Sequence, residues 1–349
     1  MNAGALDLSG HMRLPGLINA HDHLEFNLFP TLGCGGYRNA TEWARDIHHP
    51  ERSPVREHLR VPKAVRLRWG ALKNLLSGVT TVCHHNPYEP GVFGPDFPVR
   101  VVRRMAWAHS LAFEGGLVDR FRAAPREWPF VVHCAEGVDA SARSEVQTLD
   151  AEGALDSRTA IVHGVGLTPA GIDLVRRRQA SVIWCPSSNL GMFGCTVSRT
   201  VLRSGVPVAL ATDSALSAPV DLLDELTVAR RFLPARRVYE MVTSVPARIL
   251  RLSQRALAGD WIAVRSQART PGDALLGGSV ALAVIAGRIR LISPELAQQL
   301  PKSARRRFQL LHVEHRPPVM VDADVAGLWR AAAQHLGGDL RLAGKRILA

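Results

Sequence analysis

The sequence predicts an α/β fold in which a parallel sheet of the barrel type carries a smaller β element. Its second half alternates short, nearly continuous apolar runs with segments of helix length, which is typical of parallel strands covered on both faces. The runs end in polar residues that can bind metal or move protons, and sites of (β/α) barrels are built at those strand ends. A chain of 349 residues accommodates one barrel and an appendage.

The first half of the chain begins with the run 15–23, which is predicted as the first strand. A stretch rich in Gly, Pro and His follows from 27 to 61, and we expect it to form a loop on the barrel rim. Helical spacing of apolar residues predicts a helix over 62–76, and the β-branched run 79–83 predicts the next strand. The run 99–105 is then the one clear strand predicted where an eight-stranded barrel needs two.

In the second half, regular strands precede two closing helices. The strands predicted there are 130–133, 160–163, 181–185 and 208–213, and the closing helices are 222–232 and 236–250. A further helix is predicted before these strands, at 116–124. Strand-like runs at 261–264 and 279–286 form a small β element, and the remaining tail carries a strand at 308–313 and a helix at 325–336. The predicted divisions are a small β element (1–13 and 256–293), a barrel (14–255) and a C-terminal tail (294–349).

Composition and charge narrow the class of protein. No run reaches the ~18 to 20 apolar residues of a membrane span, and the first residues lack the features of a signal peptide, so we predict a cytoplasmic protein with no membrane partner. The net charge is +12, but the 43 basic residues, all but four of them arginine, are spread along the chain. This argues against a nucleic-acid partner and leaves anionic small substrates open. Five cysteines without a CxxC motif are expected to be reduced thiols.

The chemistry of the chain is predicted to centre on His21 and His23. Side chains two apart on a strand leave the same face, so these two can hold one ion together. Such a pair also arises by chance, because histidine is an ordinary surface residue as well as the commonest metal ligand. His133 and Asp213, at later strand ends, supply the further ligands of a mononuclear site with an open position for water. A metal there would lower the pKa of its water to ~7 and make hydroxide available.

Two further residues at strand ends are candidates for proton transfer and charge stabilisation. Glu136 can take the proton of the attacking water and hand it to a leaving nitrogen, and His163 can stabilise the oxyanion of a tetrahedral intermediate. Each also has an ordinary structural role: Glu136 as a solvated loop carboxylate, His163 as a packed imidazole and Asp213 as a helix cap. Their joint occurrence at strand ends, in barrel order, favours a site.

Polar residues at two other strand ends are predicted to contact substrate. They are His84, His85, Asn86, Ser188 and Asn189. A turn before Pro87 and capping of the strand-to-loop junction are the alternative roles of these residues.

Six motifs, taken in order, resemble the amidohydrolase superfamily, and more narrowly its chlorohydrolase and aminohydrolase branch, which includes cytosine, guanine and S-adenosylhomocysteine deaminases. They are PGLINAHDH at 15–23, GVTTV at 78–82, HCAE at 133–136, VHG at 162–164, CPSSN at 185–189 and ATDS at 211–214. The resemblance covers most of the chain, from about residue 14 to 287, and the ordered set is more specific than any one motif.

The resemblance implies a distorted (β/α)8 TIM-type barrel with one zinc, or sometimes iron. The ligands that it implies are His21, His23, His133 and Asp213. It further implies Glu136 as proton shuttle, His163 as a ligand-sphere or substrate-polarising residue, and Asp213 as a base towards the metal water. The stretches 243–247 and 259–262 resemble the passage from the family's barrel to its small β-sandwich, which we expect to be reduced because only a short segment precedes the histidine pair.

The leading hypothesis is a metal-dependent hydrolase that uses metal-bound hydroxide on a C–N bond, namely an aminohydrolase that deaminates a heterocyclic amine. One alternative is amide or chloride hydrolysis on the same machinery. Another is a basic protein that binds nucleic acid or anions and keeps a vestigial metal site. A small-molecule substrate is expected for either enzyme, and a homo-oligomer is compatible with the sequence.

Overall fold

The computed structural model describes residues 6–113 and 115–348. Within these residues, and in chain order, the strands are β1 (His11–Pro15), β2 (Leu17–Asp22), β3 (Val79–His84), β4 (Arg100–Val101), β5 (Ala106–Ser110), β6 (Phe130–Cys134), β7 (Thr159–His163), β8 (Ser181–Trp184), β9 (Val208–Leu210), β10 (Trp261–Arg265), β11 (Ser279–Ile285), β12 (Arg288–Ile292), β13 (Gln309–Val313), β14 (Val319–Val321), β15 (Arg341–Leu342) and β16 (Lys345–Leu348).

Helices occupy most of the connections between these strands. They are α1 (Ala40–Ile47), α2 (Val55–Arg60), α3 (Lys63–Leu76), α4 (Leu117–Ala123), α5 (Ala140–Ala151), α6 (Pro169–Arg177), α7 (Pro186–Phe193), α8 (Arg199–Arg203), α9 (Leu222–Ala229), α10 (Ala235–Glu240), α11 (Ser244–Ile249), α12 (Gln254–Leu257), α13 (Pro271–Gly277), α14 (Pro294–Ala297), α15 (Lys302–Arg305) and α16 (Val325–Leu336). None of the helices in the described part of the chain combines the length and the apolar character that a membrane crossing requires.

Strands β2 to β9 are parallel and lie in two sheets. One sheet has the order β2-β3-β4 and the other the order β5-β6-β7-β8-β9. Every residue of β2, β3, β6, β7 and β8 is buried, because helices connect these strands and cover the sheets. The prediction of an α/β fold with parallel strands is confirmed.

The expectation of a single strand around residues 99–105 is wrong. Two strands, β4 and β5, follow β3, and they are separated by only four residues. They escape a search for apolar runs because β4 has two residues and four of the five residues of β5 are only half-buried. The sequence of β5, AWAHS, therefore lacks the continuous apolar character that marks the other parallel strands.

The two parallel sheets also meet between β9 and β2. The amide of Asp213, just past β9, donates to the carbonyl of His21 at 3.2 Å, and the amide of Ile18 donates to the carbonyl of Val242 at 2.8 Å. The first bond holds the carboxyl end of β2 beside that of β9, and the second ties the start of β2 to the segment between α10 and α11. Because the ladders themselves form two sheets, closure into an eight-stranded barrel stays a prediction at this point.

Two helix predictions need correction. The stretch 27–61, expected to be a loop, contains α1 and α2. The single helix expected over 236–250 is two helices, α10 and α11, because Thr243 leaves the helical region with φ −131° and ψ −90°. Pro246 has no N–H to continue the earlier helix, so a break before it is favoured.

The remaining strands form an antiparallel sheet in the order β1-β10-β11-β12-β14-β13-β16-β15. Strands of the C-terminal tail thus extend the sheet that β1 and β10 to β12 begin. Arg316 and Lys345 tie this tail to α9, since the Arg316 Nη2 atom lies 2.7 Å from the Asp221 carboxylate and Lys345 Nζ lies 3.4 Å from it. The β-sandwich and the boundaries at residues 13, 255 and 293 stay predictions.

Candidate metal centre and cavity

The carboxyl ends of the parallel strands bring imidazole and carboxylate groups together. His21 on β2, His133 on β6 and His163 on β7 form one group whose ligand atoms lie within 4.8 Å of one another, and His21, His23 and Asp213 form a second. His21 belongs to both groups, and all five side chains are buried. The fold therefore brings side chains from four strand ends into two overlapping groups that share His21.

The imidazole nitrogens converge on one carboxylate oxygen. Asp213 Oδ1 lies 3.6 Å from His21 Nε2 and 3.7 Å from His23 Nε2. His133 Nε2 lies 3.3 Å from His21 Nε2. Three ring nitrogens and one carboxylate oxygen thus face a common space.

Asp213 is held in its ionised form by its surroundings. Burial alone would raise its pKa, but the imidazoles that surround it, His21 foremost, hold the pKa of this carboxyl well below its ordinary value. Its second oxygen, Oδ2, accepts hydrogen bonds from the hydroxyls of Ser188 and Ser217, each at 2.8 Å. Oδ1 is left to face the imidazoles.

The hydrogen bonds of His85 determine which nitrogen of His21 carries its proton. His85 Nε2 lies 3.0 Å from the carbonyl of Ala108, and a carbonyl only accepts, so Nε2 carries the proton and Nδ1 is an acceptor. That Nδ1 lies 3.1 Å from His21 Nδ1, which must then be the donor. His21 Nε2 is left with a free lone pair directed at the site. These tautomers are assigned from the hydrogen-bond partners.

His133 follows the same rule. Its Nδ1 lies 2.9 Å from the carbonyl of His109 and donates to it, so Nε2 again carries a lone pair. Burial is the main cause that lowers the pKa of His133 well below its ordinary value and lowers that of His21 to about 4, so both rings are neutral. Two lone pairs 3.3 Å apart repel each other unless a cation lies between them. The donor set therefore fits a divalent metal ion.

The backbone is strained at the strand ends that form the site. Ala135, His163 and Asp213 have φ values of 54°, 74° and 57°, in the left-handed region that residues with a Cβ rarely adopt. Such strain costs on the order of 1–3 kcal/mol per residue and persists where the surrounding structure enforces it, most often at functional sites. It turns the side chains of His163 and Asp213 towards the imidazole cluster.

Glu136 lies beside His163 at the edge of this group. The distance from Glu136 Oε1 to His163 Nε2 is 3.2 Å. Burial and the charges of Asp213 and Glu145 raise the pKa of Glu136 well above its ordinary value, so the carboxyl holds a proton readily. His163 Nδ1 donates to Asn189 Oδ1 at 2.8 Å, which leaves His163 Nε2 as an acceptor facing Glu136.

A cavity of about 270 Å³ opens onto the imidazole cluster. Its polar lining includes His23, His133, Glu136, His163 and Asp213. Its apolar lining comes from α1 and from the segments that follow β2, β5 and β9, through Phe26, Ala40, Trp43, Ala44, Ile47, Ala112, Phe113 and Leu216. Ligand sites are typically concave, mostly apolar and carry a few convergent polar groups.

A buried lysine supports the site from behind. Lys73 Nζ on α3 lies 2.8 Å from Asp22 Oδ2, 2.9 Å from Asn27 Oδ1 and 3.0 Å from Thr212 Oγ1. Asp22 separates His21 from His23 in the chain, and Thr212 precedes Asp213. The lysine therefore links the two segments that supply metal-binding candidates.

The predicted substrate contacts take different places. Asn86 lines the cavity, whereas His84 and His85 are buried behind the site; His84 Nε2 lies 3.6 Å from Glu25. Ser188 and Asn189 bond to Asp213 and His163 instead of lining the cavity. The four residues that do not line the cavity contact the metal-binding candidates or their neighbours, because the side chains at the strand ends face one another.

Sequence reasoning missed the helix that forms much of the cavity wall. Residues 40, 43, 44 and 47 follow the i, i+3, i+4, i+7 spacing of a helix face, and Asn39 caps α1 by accepting from the amide of Glu42. That signal was present inside the stretch expected to be a loop. No local pattern points to the roles of Lys73 and Ser217.

Comparison with known proteins identifies the family that these features match. The amidohydrolase family model matches residues 127–256, which contain His133, Glu136, His163 and Asp213. The chain is 24% identical over 327 residues to a 5-methylthioadenosine/S-adenosylhomocysteine deaminase of Pyrococcus furiosus, covering 74% of this chain and 75% of the relative. A deaminase of the same name from Thermococcus sibiricus is 26% identical over 188 residues, which is 48% of this chain and 42% of the relative's length.

Solved structures show the same fold. A zinc-bound adenosine deaminase from Xanthomonas campestris superposes with a TM-score of 0.68 at 18% identity, covering 94% of this chain and 85% of that one. An atrazine chlorohydrolase from Arthrobacter aurescens, complexed with zinc, gives a TM-score of 0.67 at 17% identity, covering 94% of this chain and 88% of the other. Both similarities extend over nearly the whole of this chain.

Proposed function

We propose that this chain is a member of the amidohydrolase family and a metal-dependent aminohydrolase that releases ammonia from an aminated heterocycle. The observation that carries the proposal is the convergence of three imidazole Nε2 atoms and Asp213 Oδ1 beside the raised-pKa carboxyl of Glu136, at the polar end of a cavity. The deaminases among its relatives support the choice of a C–N bond.

The ion would be held by His21, His23, His133 and Asp213, with His163 next to them. A divalent metal in this position supplies Lewis acidity and lowers the pKa of water towards ~7. Zinc is our choice, supported by the zinc-bound structures of the same fold, and iron is the alternative. The chain's residues set the ligand geometry through the bonds of His85, the His109 carbonyl and Ser188 to the donor side chains.

Glu136 moves the proton in the proposed reaction. Its carboxylate takes a proton from the attacking water and, as the neutral acid favoured by burial, delivers it to the leaving nitrogen. His163 Nε2 lies 3.2 Å from Glu136 Oε1. When the proton that this pair shares resides on His163, the ring is a donor that polarises the substrate and Glu136 is the carboxylate that takes the proton of water. Asn189 holds the His163 ring in the orientation this exchange needs.

The two parallel sheets are proposed to be the two arcs of a distorted (β/α)8 barrel. The bond from the Asp213 amide to the His21 carbonyl supports this at the junction of β9 and β2. The other junction lies between β4 and β5, where the strands are short or half-buried. The antiparallel sheet would then be the counterpart of the family's small β domain.

The experiment that tests the function is metal analysis followed by an ammonia-release screen. The purified chain is loaded with Zn²⁺ and incubated with adenosine, 5-methylthioadenosine, S-adenosylhomocysteine and aminotriazines. Stoichiometric metal and ammonia release that depends on it support the proposal. Halide or carboxylate release without ammonia would assign the site to the alternative hydrolases, and a metal-free chain with steeply salt-dependent DNA affinity would reject an enzyme.

A further inference from the structure

Helix α1 presents an apolar face to the cavity instead of to the core. Ala40, Trp43, Ala44 and Ile47 lie on this face and line the cavity, and only Ala44 among them is fully buried. The other face carries charged residues such as Arg45 and Asp46, which are exposed. An amphipathic helix is expected to bury its apolar face, and this face is open to a ligand in the cavity.

A second apolar contribution comes from the loop after β5. The ring of Phe113 lines the cavity with 49% of its surface exposed, and it stacks on His109 at 4.6 Å between centroids. His109 in turn lies 4.9 Å from the ring of His133. The aromatic surface therefore reaches from the metal-binding candidates out to the rim, where a heteroaromatic ring can pack against it.

The charges around the cavity are of one sign. The described residues that line it include Glu136, Glu145 and Asp213 and no lysine or arginine, although the chain has 43 basic residues. Arg38, just before α1, is paired with Glu42 at the surface. A carboxylate or phosphate on a ligand would lose water here without gaining a lysine or arginine partner, which is unfavourable.

We infer that the substrate is an uncharged aminated heteroaromatic ring with an uncharged apolar substituent that packs on the α1 face, and that amines bearing a carboxylate or phosphate are rejected. This inference rests on the proposed function and narrows its substrate class. It assigns Trp43 and Ile47 as residues that determine specificity.

The test uses two ligands that differ only in the terminal group of one three-carbon substituent. 9-Propyladenine and 9-(2-carboxyethyl)adenine have substituents of the same length, one apolar and one anionic. Binding to the Zn²⁺-loaded full chain is measured by equilibrium dialysis, and kcat/KM is measured by ammonia release. We expect both affinity and kcat/KM to favour the propyl compound by about 10²-fold or more, because the anion meets an apolar wall.

A variant that adds a positive charge to the α1 face sharpens the test. Ile47→Lys places an ammonium on the α1 face and should lower the propyl-to-carboxyethyl ratio at least about tenfold, whereas the uncharged Ile47→Met should leave the ratio near that of the wild type. Using the ratio within one variant removes any effect of the substitution on stability or metal content.

The outcomes separate the inference from the function it rests on. Tight binding of the propyl compound without ammonia release rejects the proposed deamination and keeps the inference. Ammonia release from both compounds at equal kcat/KM overturns the inference and keeps the function. Failure of the propyl compound to bind, or equal ratios in Ile47→Lys and Ile47→Met, also overturns the inference.

Discussion

Replacing Lys73 by methionine should destabilise the chain through Asp22. Lys73 and Asp22 are 2% and 0% exposed, and their charged atoms lie 2.8 Å apart. Removing one partner of a buried pair leaves the other charge uncompensated and typically costs ~3–5 kcal/mol. Asn27 and Asn74 still donate to Asp22, at 2.8 and 2.7 Å, so we expect the lower end, about 3 kcal/mol.

The assay is urea-induced unfolding of the metal-free chain, followed by tryptophan fluorescence. The double variant Asp22→Asn/Lys73→Met removes both charges and should lose less free energy of unfolding than Lys73→Met alone. Lys302→Met, at an exposed lysine, is the matched control and should change the free energy by less than about 0.5 kcal/mol. A loss below about 1 kcal/mol in Lys73→Met, or a double variant less stable than the single one, would refute the reasoning.

Four further predictions concern the site and the C-terminal tail. Glu136→Gln should retain metal but lose roughly 10²-fold or more in turnover; wild-type-like turnover would remove its role as proton shuttle. His133→Ala should lower the metal content measured by atomic emission, and unchanged content would show that the ligand set is wrong. His85→Phe keeps a ring of similar size but removes the acceptor for His21, so Zn²⁺ affinity measured by chelator competition should fall about 10–100-fold, while His85→Phe with unaltered affinity would reject the tautomer argument. Burial raises the pKa of Asp221, but Lys345 and Arg316 outweigh burial and hold that pKa below its ordinary value. The stabilisation from this carboxylate is therefore present above roughly pH 4 and is lost as the pH falls further. Asp221→Asn should weaken the fall in the free energy of unfolding at acid pH, and an unchanged fall would contradict this prediction.

The strand ends and the metal-binding candidates were predictable because the signals behind them are local. Two histidines separated by a single residue share a face of any strand, and the end of an apolar run indicates where a buried parallel strand ends. His133, His163 and Asp213 each follow such a run, so their convergence with His21 required only that the strands be parallel.

The sequence could not reveal structure whose signals are weak or divided between distant segments. β4 is too short for periodicity to act on, and β5 is half-buried. Helix α1 has a clear helical pattern, but it lies within a stretch rich in Gly and Pro, whose composition predicts a loop. Nothing in the sequence distinguishes Lys73 from other lysines on helices, because its role depends on the packing of α3 behind β2.

The sequence by itself determined the parallel strands, the histidine pair at the end of the first of them, and the order in which the other candidates return to it, since each depends on alternation and spacing along the chain. The tertiary structure alone decided which nitrogen of His21 is free, because that follows from the carbonyl of Ala108 through His85. It also decided that, in a chain of net charge +12, the described residues lining the cavity include no lysine or arginine. The amino-acid composition gives the number of charges, and only the fold determines where they lie.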